Sequence, residues 1–382
     1  MSFVPSLADI NALAGANGYS VVSTFSGTGG SSLGYRWAGF KVRAALEFVP
    51  EAAESYQANF PDTPVMVRDI REVSGSDLLK FASLKVGELD LLDGSPPCSG
   101  FATGGLRHKG WGKEKSYSED KVQRVDDLFF EFVRILKDLQ PKVFVAENVR
   151  GLVSGKAQGY YLEIHRALQA AGYHVENSLI DAQQLGVPQS RIRLIIMGVR
   201  NDLAALGVRP SFPKPIYSQW NDKPSKMRAD MPRPVTIAQA FSGLEQPRED
   251  AEQRQCHWLK TGSKTREAWE KTNPFIDSGM LRATYLKEWG QNARFHWFRQ
   301  RPDRPSVTVT ATVPCLLHWK YPRSYTIPEV KRLQSFPDDF TLTGNYEQQY
   351  ERVGRGVPPL LMMKVAERVR DDVLAAANKV KS

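Results

Sequence analysis

Val21-Val-Ser-Thr-Phe25-Ser-Gly-Thr-Gly-Gly30-Ser-Ser-Leu-Gly34 reads as a β-rich run, a glycine turn and a helix start. That order brings backbone N–H groups and a helix N-terminus against a nucleotide-like ligand. The next strand ends at Ala44-Ala-Leu-Glu47-Phe48, where an acid can accept from both ribose hydroxyls. A third turn carries Arg68-Asp69-Ile70, with Asp69 placed to accept from an exocyclic amine. No Lys follows the glycines as in a phosphate loop. An adenosine with a non-phosphate tail, such as S-adenosylmethionine, is the expected ligand. Strand and helix signals alternate from Tyr19 to Val199, with helical spacing at Asp126–Lys137 and at Tyr161–Ala171 before Gly172. Such alternation predicts an α/β fold with an open, mostly parallel, Rossmann-like sheet and helices on both faces.

Glu88-Leu-Asp-Leu-Leu-Asp93 reads as a buried strand running into Gly94-Ser95-Pro96-Pro97-Cys98. The prolines fix φ and remove donors, so the thiol is held on a stiff turn at the strand's end, as a nucleophile must be. Pro141-Lys-Val-Phe-Val-Ala-Glu147-Asn148-Val149 is a second buried strand, ending in a carboxylate and an amide. Val187–Gly198 is a third, and its alternation predicts that Arg191 and Arg193 share a face toward a cleft or anion.

Among 382 residues, 41% are hydrophobic and 24% charged, the balance of a soluble globular protein of about two domains. No apolar run reaches membrane-spanning length, and the N-terminus lacks the basic start and apolar stretch of a signal peptide. Cys98, Cys256 and Cys315 form no disulfide or zinc pattern; no metal is expected, and a reducing cytoplasm fits a free Cys98. The net charge of +9 suits a polyanionic partner. Basic and aromatic residues interleave at Arg294–Arg301 and His318–Arg323, where phosphate contacts by Arg299, Arg301 and Arg323 are expected. Ser99–Lys121 is polar and aperiodic, the texture of a lid over a nucleophile. After Arg200 the periodicity weakens, so residues 1–200 and 350–382 are expected to form a discontinuous large domain and 201–349 a smaller one. Val307-Thr-Val-Thr-Ala-Thr reads as a strand there, and the segment from Pro358 reads as a helix.

These segments resemble the DNA cytosine-C5 methyltransferases. The matches run in the family's order: Phe25-Ser-Gly-Thr-Gly-Gly30, Glu47, Asp69-Ile70, Pro96-Pro97-Cys98, Glu147-Asn148-Val149, Gln189-x-Arg191-x-Arg193, Arg332–Phe340 and Gly354-Arg-Gly-Val-Pro-Pro359. The resemblance implies an S-adenosylmethionine-dependent sheet with a smaller target-recognition domain, a DNA cleft, and a cytosine flipped from double-stranded DNA. It implies that Cys98 adds to cytosine C6, that Glu147 bonds N3 and the exocyclic amine, and that Arg193, supported by Arg191, holds O2. Glu147 must be protonated to donate at N3, and burial favours that form. Phe25 would stack on adenine, Glu47 hold the ribose, Asp69 meet the amine and Leu128 cover the ring. Ser26, Gly27, Gly29, Gly30, Phe48, Ile70, Pro96, Arg355 and Val357 complete the expected cofactor set. Ser99, Arg107, Lys109 and Gln189 join the expected DNA contacts, and a monomer is expected. Arg355 departs from the family's usual Asn. Beside a sulfonium, a fixed cation calls for an anion. Carboxy-S-adenosylmethionine would supply one, and the product would be 5-carboxymethylcytosine. Two further alternatives are a tRNA cytosine-C5 methyltransferase and an inactive DNA-binding regulator.

Overall fold

The computed structural model describes residues 4–97, 114–118, 121–124, 128–154, 157–221, 223, 227–247, 256–275, 279–290, 297–311 and 316–380. They form two compact units. The larger comprises Ala8–Asp181, Ile192–Lys214 and Val357–Ser382; the smaller comprises Met1–Leu7, Ala182–Arg191 and Pro215–Gly356.

The larger unit is built on β1 (Ser20–Thr24), β2 (Lys41–Glu47), β3 (Val65–Val67), β4 (Leu91–Gly94), β7 (Val143–Val149), β8 (Tyr173–Asp181) and β9 (Ile192–Arg200). Between β4 and β7 lies an antiparallel hairpin of β5 (Glu114–Ser118), inside the segment expected to be aperiodic, and β6 (Lys121–Arg124), which begins at that segment's last residue. The sheet order is β3-β2-β1-β4-β7-β9-β8. β1, β2, β3, β4 and β7 run parallel, while β9 is antiparallel to both its neighbours. Strand order reverses between β1 and β4, which is where an open α/β sheet leaves a crevice at its carboxyl edge.

The parallel strands are apolar on both faces because helices cover both. On one face Val22, Leu92, Phe144 and Ile196 meet Leu128, Phe132, Ile135 and Leu139 of the helix Leu128–Leu139, together with Ile164 and Leu168 of Gln158–Ala170. Each such side chain contributes about 1.5–3 kcal/mol by leaving water. Elsewhere in the unit the helix Gly30–Trp37 packs so closely on Pro359–Arg368 that a Cβ at Gly34 would lie 2.6 Å from the Pro359 carbonyl. The C-terminal helix thus joins the larger unit.

In the smaller unit, Lys264–Lys271 and Leu281–Trp289 pack around Trp269, Leu281, Tyr285 and Leu317. Thr326 and Glu329 form a capping box on Ile327–Leu333, and Pro328 sits in its first turn, where its missing N–H costs nothing. Two expectations differ in detail from the structure. The unit boundaries fall at 181/182, 191/192, 214/215 and 356/357 rather than at 200 and 350. Arg191 explains part of this, since it bonds Val309, Gly354 and Gly356 inside the smaller unit. Residues 307–311 form no ladder. Side chains take a neighbouring strand's place: the Val309 amide donates to Gln189 Oε1 and the Thr308 hydroxyl to the Ser190 carbonyl.

Candidate active site

The glycine turn follows β1. Phe25 has φ +53°, a left-handed conformation uncommon outside glycine, so its placement is held by its surroundings. Its ring packs against the large core and, with Leu46, Phe48, Arg68 and Ile70, lines an apolar depression. Gly27 and Gly29 also take positive φ, and a Cβ at Gly29 would lie 2.4 Å from the Phe60 ring. Gly30 opens the helix, while the Ser26 hydroxyl donates to the Ser23 carbonyl at 2.9 Å. Glu47 ends β2 beneath this turn. Its carboxylate accepts from the Gly27 amide at 2.6 Å and the Val49 amide at 2.8 Å. Burial raises its pKa, and the amide donors oppose that rise. The Phe48 amide is a third donor, so of about four acceptor sites on the carboxylate one remains for a ribose hydroxyl. Asp69 caps the turn Ile70–Glu72 through the Arg71 amide at 3.0 Å and pairs with Arg71. These residues fit an adenosine. Leu128 does not cover the depression as expected; it lies wholly buried in the core behind it.

The strand ends beyond the switch point carry the second part. Gly94 closes β4 where a Cβ would meet the Phe132 ring at 2.6 Å. Pro96 and Pro97 follow, and the Asn148 side-chain amide donates to the Pro96 carbonyl at 3.1 Å. The turn leading to Cys98 is therefore clamped to β7. Next to that clamp Arg193 Nε lies 2.8 Å from Glu147 Oε1, each side chain 12% exposed. Burial lowers the Arg193 pKa and the Glu147 charge opposes the fall, so the guanidinium stays charged. Cys98, Ser99, Arg107 and Lys109 lie outside the described residues. Asp93, which the sequence reading passed over, is buried on β4 with Ser23 and Tyr35 as donors. An acid in a strand otherwise apolar, Leu91-Leu-Asp-Gly94, was the available signal.

Several expected contacts are structural instead. Arg191 immediately precedes β9, belongs to the smaller unit, and donates to the carbonyls of Val309, Gly354 and Gly356 at 2.9–3.1 Å, while Arg193 pairs with Glu147. Gln189 is fully buried, bonded to Leu333, Gln334 and the Val309 amide. Arg323 is buried and doubly bonded to Glu329 at 2.8 Å. Arg299 lies 3.9 Å over the Trp269 ring and donates to the carbonyls of Trp269, Thr272 and Trp319. Each of these side chains is thus bonded within the fold, with Arg299 half-buried and Gln189 and Arg323 fully buried. Arg301 pairs with Asp303 at 2.7 Å. Arg355 is half exposed and bonds Glu351, one turn back on its own helix, at 2.6 Å. Val357 is buried in the larger unit. No cluster able to hold a metal occurs among the described residues. No helix among them is long and apolar enough to cross a membrane.

A glycine turn over a buried acid at the switch point, and a proline turn clamped beside a buried Glu–Arg pair, fit a Rossmann-like group-transfer enzyme. Residues 19–371 match the C-5 cytosine-specific DNA methylase family, and the chain belongs to it. It is a DNA cytosine-5 methyltransferase, and membership implies S-adenosylmethionine as methyl donor. The type II methyltransferase M1.HphI of Haemophilus parahaemolyticus is 32% identical, over 91% of this chain and 86% of its own. M.XorII of Xanthomonas oryzae pv. oryzae is 28% identical, over 91% and 84%. A structure described as a DNA modification methyltransferase encoded within an E. coli prophage superposes with TM-score 0.64 at 23% identity, covering 94% of this chain and 99% of that one. Spodoptera frugiperda DNMT2 follows with 0.58 at 15%.

Proposed function

We propose that the protein transfers a methyl group from S-adenosylmethionine to C5 of a flipped cytosine in double-stranded DNA, through a covalent bond between Cys98 and C6. The observation that carries this reading is the Glu147–Arg193 pair on β7 and β9 and the Asn148–Pro96 clamp, which ties β7 to the turn that follows β4 and leads to Cys98. Addition of the thiolate at C6 makes an enamine, and C5 then attacks the sulfonium methyl, releasing the thioether. A base removes the C5 proton, the electron pair re-forms the C5–C6 double bond, and the thiolate leaves. Glu147 acts at N3 and the exocyclic amine; Arg193 orients Glu147 and offers its remaining N–H groups to O2. Glu47 holds the ribose and the Phe25–Phe48–Ile70 depression the adenine. The smaller unit selects the DNA sequence, in a setting like that of the type II relatives.

Arg355 carries its own counter-ion in Glu351, so no unpaired charge calls for an anion on the transferred group. Methyl, not carboxymethyl, is the group proposed. Incubation with plasmid DNA and with bulk tRNA, followed by nucleoside mass spectrometry, tests the whole reading. The expected product is 5-methylcytosine in DNA, unchanged in Arg355→Asn and absent in Cys98→Ala. Incorporation into tRNA alone, or 5-carboxymethylcytosine from cells making both cofactors, would overturn it. Wild-type protein is also expected to form a covalent adduct on DNA containing 5-fluorocytosine.

A further inference from the structure

Asp93 is 1% exposed on β4, in register with Ser23 of β1, and stands five residues before Cys98. One carboxyl joins three elements. Ser23 Oγ of β1 donates to Oδ2 at 2.8 Å, and Tyr35 Oη of the helix Gly30–Trp37 donates to Oδ1 at 3.0 Å. The Asp93 carbonyl accepts from Thr24 Oγ1 at 2.9 Å. β1 and that helix flank the glycine turn, and β4 runs into the Pro96-Pro97 turn. We propose that Asp93 is a positioning residue that fixes the cofactor-binding turn and the nucleophile strand in one register, and that it does so when its carboxylate accepts from Ser23 and Tyr35 together. This rests on the methyltransferase reading above.

An ionised carboxylate accepts both bonds. A protonated one must turn an O–H toward one of the two hydroxyls, so one bond reverses or breaks. The surroundings make this choice sensitive to pH. Burial, opposed by the Ser23 and Tyr35 bonds and assisted by the Glu147 charge on β7, lifts Asp93 to about 7. Tyr56, on the helix Pro50–Asn59, faces Asp93 as a neutral phenol, raised by burial above its usual range. Among the described residues no cation touches the carboxyl; Arg193 is engaged by Glu147.

Calorimetric titration of the full-length protein with S-adenosylmethionine, from pH 5.5 to 8.5, tests the proposal without any nucleic acid. Wild-type affinity is expected to fall about tenfold from pH 8 to pH 6, as for one group titrating near 7. Asp93→Asn, nearly isosteric, should abolish that inflection. Ser23→Ala and Tyr35→Phe each remove a bond that favours the carboxylate, so each should move the inflection to higher pH. Methyl transfer by Asp93→Asn at pH 8 should lose at least tenfold in kcat/KM. An inflection unchanged in Asp93→Asn, or unmoved in both hydroxyl variants, would overturn the proposal. A pH-dependent cofactor affinity that disappears in Asp93→Asn, in a protein that never methylates DNA, would support Asp93 and count only against the DNA reading.

Discussion

Arg191 donates to three main-chain carbonyls that come from two separate stretches, Val309 and Gly354–Gly356. Only a forked, planar cation serves three acceptors from one buried position. Arg191→Lys is therefore expected to destabilise the smaller unit by about 2–4 kcal/mol, because a single ammonium leaves buried carbonyls unpaired. A lowered urea midpoint, with cofactor affinity changed by less than threefold, is the expected result. Glu147 makes the opposite case, since the strand ladder rather than its side chain sets its position. Glu147→Gln should fold and bind cofactor while losing roughly a hundredfold or more in turnover, the scale of a removed acid–base group. Single-turnover methyl transfer measures it. Spacing places Arg191 and Arg193 two residues apart but does not reveal their partners: Arg193 pairs with Glu147, and the acceptors of Arg191 lie more than a hundred residues further on.

At the scale of elements, β4 shows how little room the site leaves. A methyl at Gly94 would come within 2.6 Å of Phe132 and 2.8 Å of Thr24 Oγ1. Gly94→Ala must push the helix Leu128–Leu139 away or twist the turn that carries Pro96. A loss of about 1–3 kcal/mol by overpacking is expected, visible in the thermal midpoint, together with a fall in turnover exceeding that of cofactor affinity. Alternating elements of this kind were legible beforehand because their signals are local. The β1–glycine turn–helix unit, the helix after Asp126 and the helix after Pro358 each declare themselves within a dozen residues. What escaped depends on partners far along the chain. The Val307 run has strand composition, yet its amides and carbonyls are taken by Gln189 and Arg191 more than a hundred residues earlier. The basic-aromatic segments read as DNA contacts because charge is visible in sequence and pairing is not. Arg323 finds Glu329, and Arg299 finds Trp269 and three carbonyls. The positions of Phe25, Glu47 and Asp69 were legible for the converse reason, since they stand at strand ends and the alternation already fixes where strands end.

Across the whole molecule, the two units bury groups with large and opposing shifts. In the larger unit Asp93 is raised to about 7. A carboxyl raised on folding gives stability that is fully present below its unfolded pKa of about 4 and is lost as pH rises through 7. In the smaller unit His318 is pushed down to about 2, mainly by burial and then by Arg323, Lys320 and Arg299. Its ring stacks on Trp319 at 3.9 Å, and its Nδ1 accepts from the Lys320 and Tyr321 amides. A histidine held neutral in this way loses stability as pH falls below its unfolded pKa of about 6.5, because only the unfolded chain then takes the proton. Between pH 8 and pH 5 Asp93 should add roughly 2.5 kcal/mol and His318 remove roughly 2 kcal/mol. If the two units unfold together, the wild-type curve should be nearly flat over that range, and each variant should uncover the other group. Asp93→Asn should become less stable toward pH 5, by about 2 kcal/mol. His318→Gln, although less stable at pH 8 for its altered packing, should gain about 2–3 kcal/mol over the same descent. Urea unfolding at pH 8, 7, 6 and 5 reads both slopes. Three parallel curves would mean that neither group titrates between the folded and unfolded states.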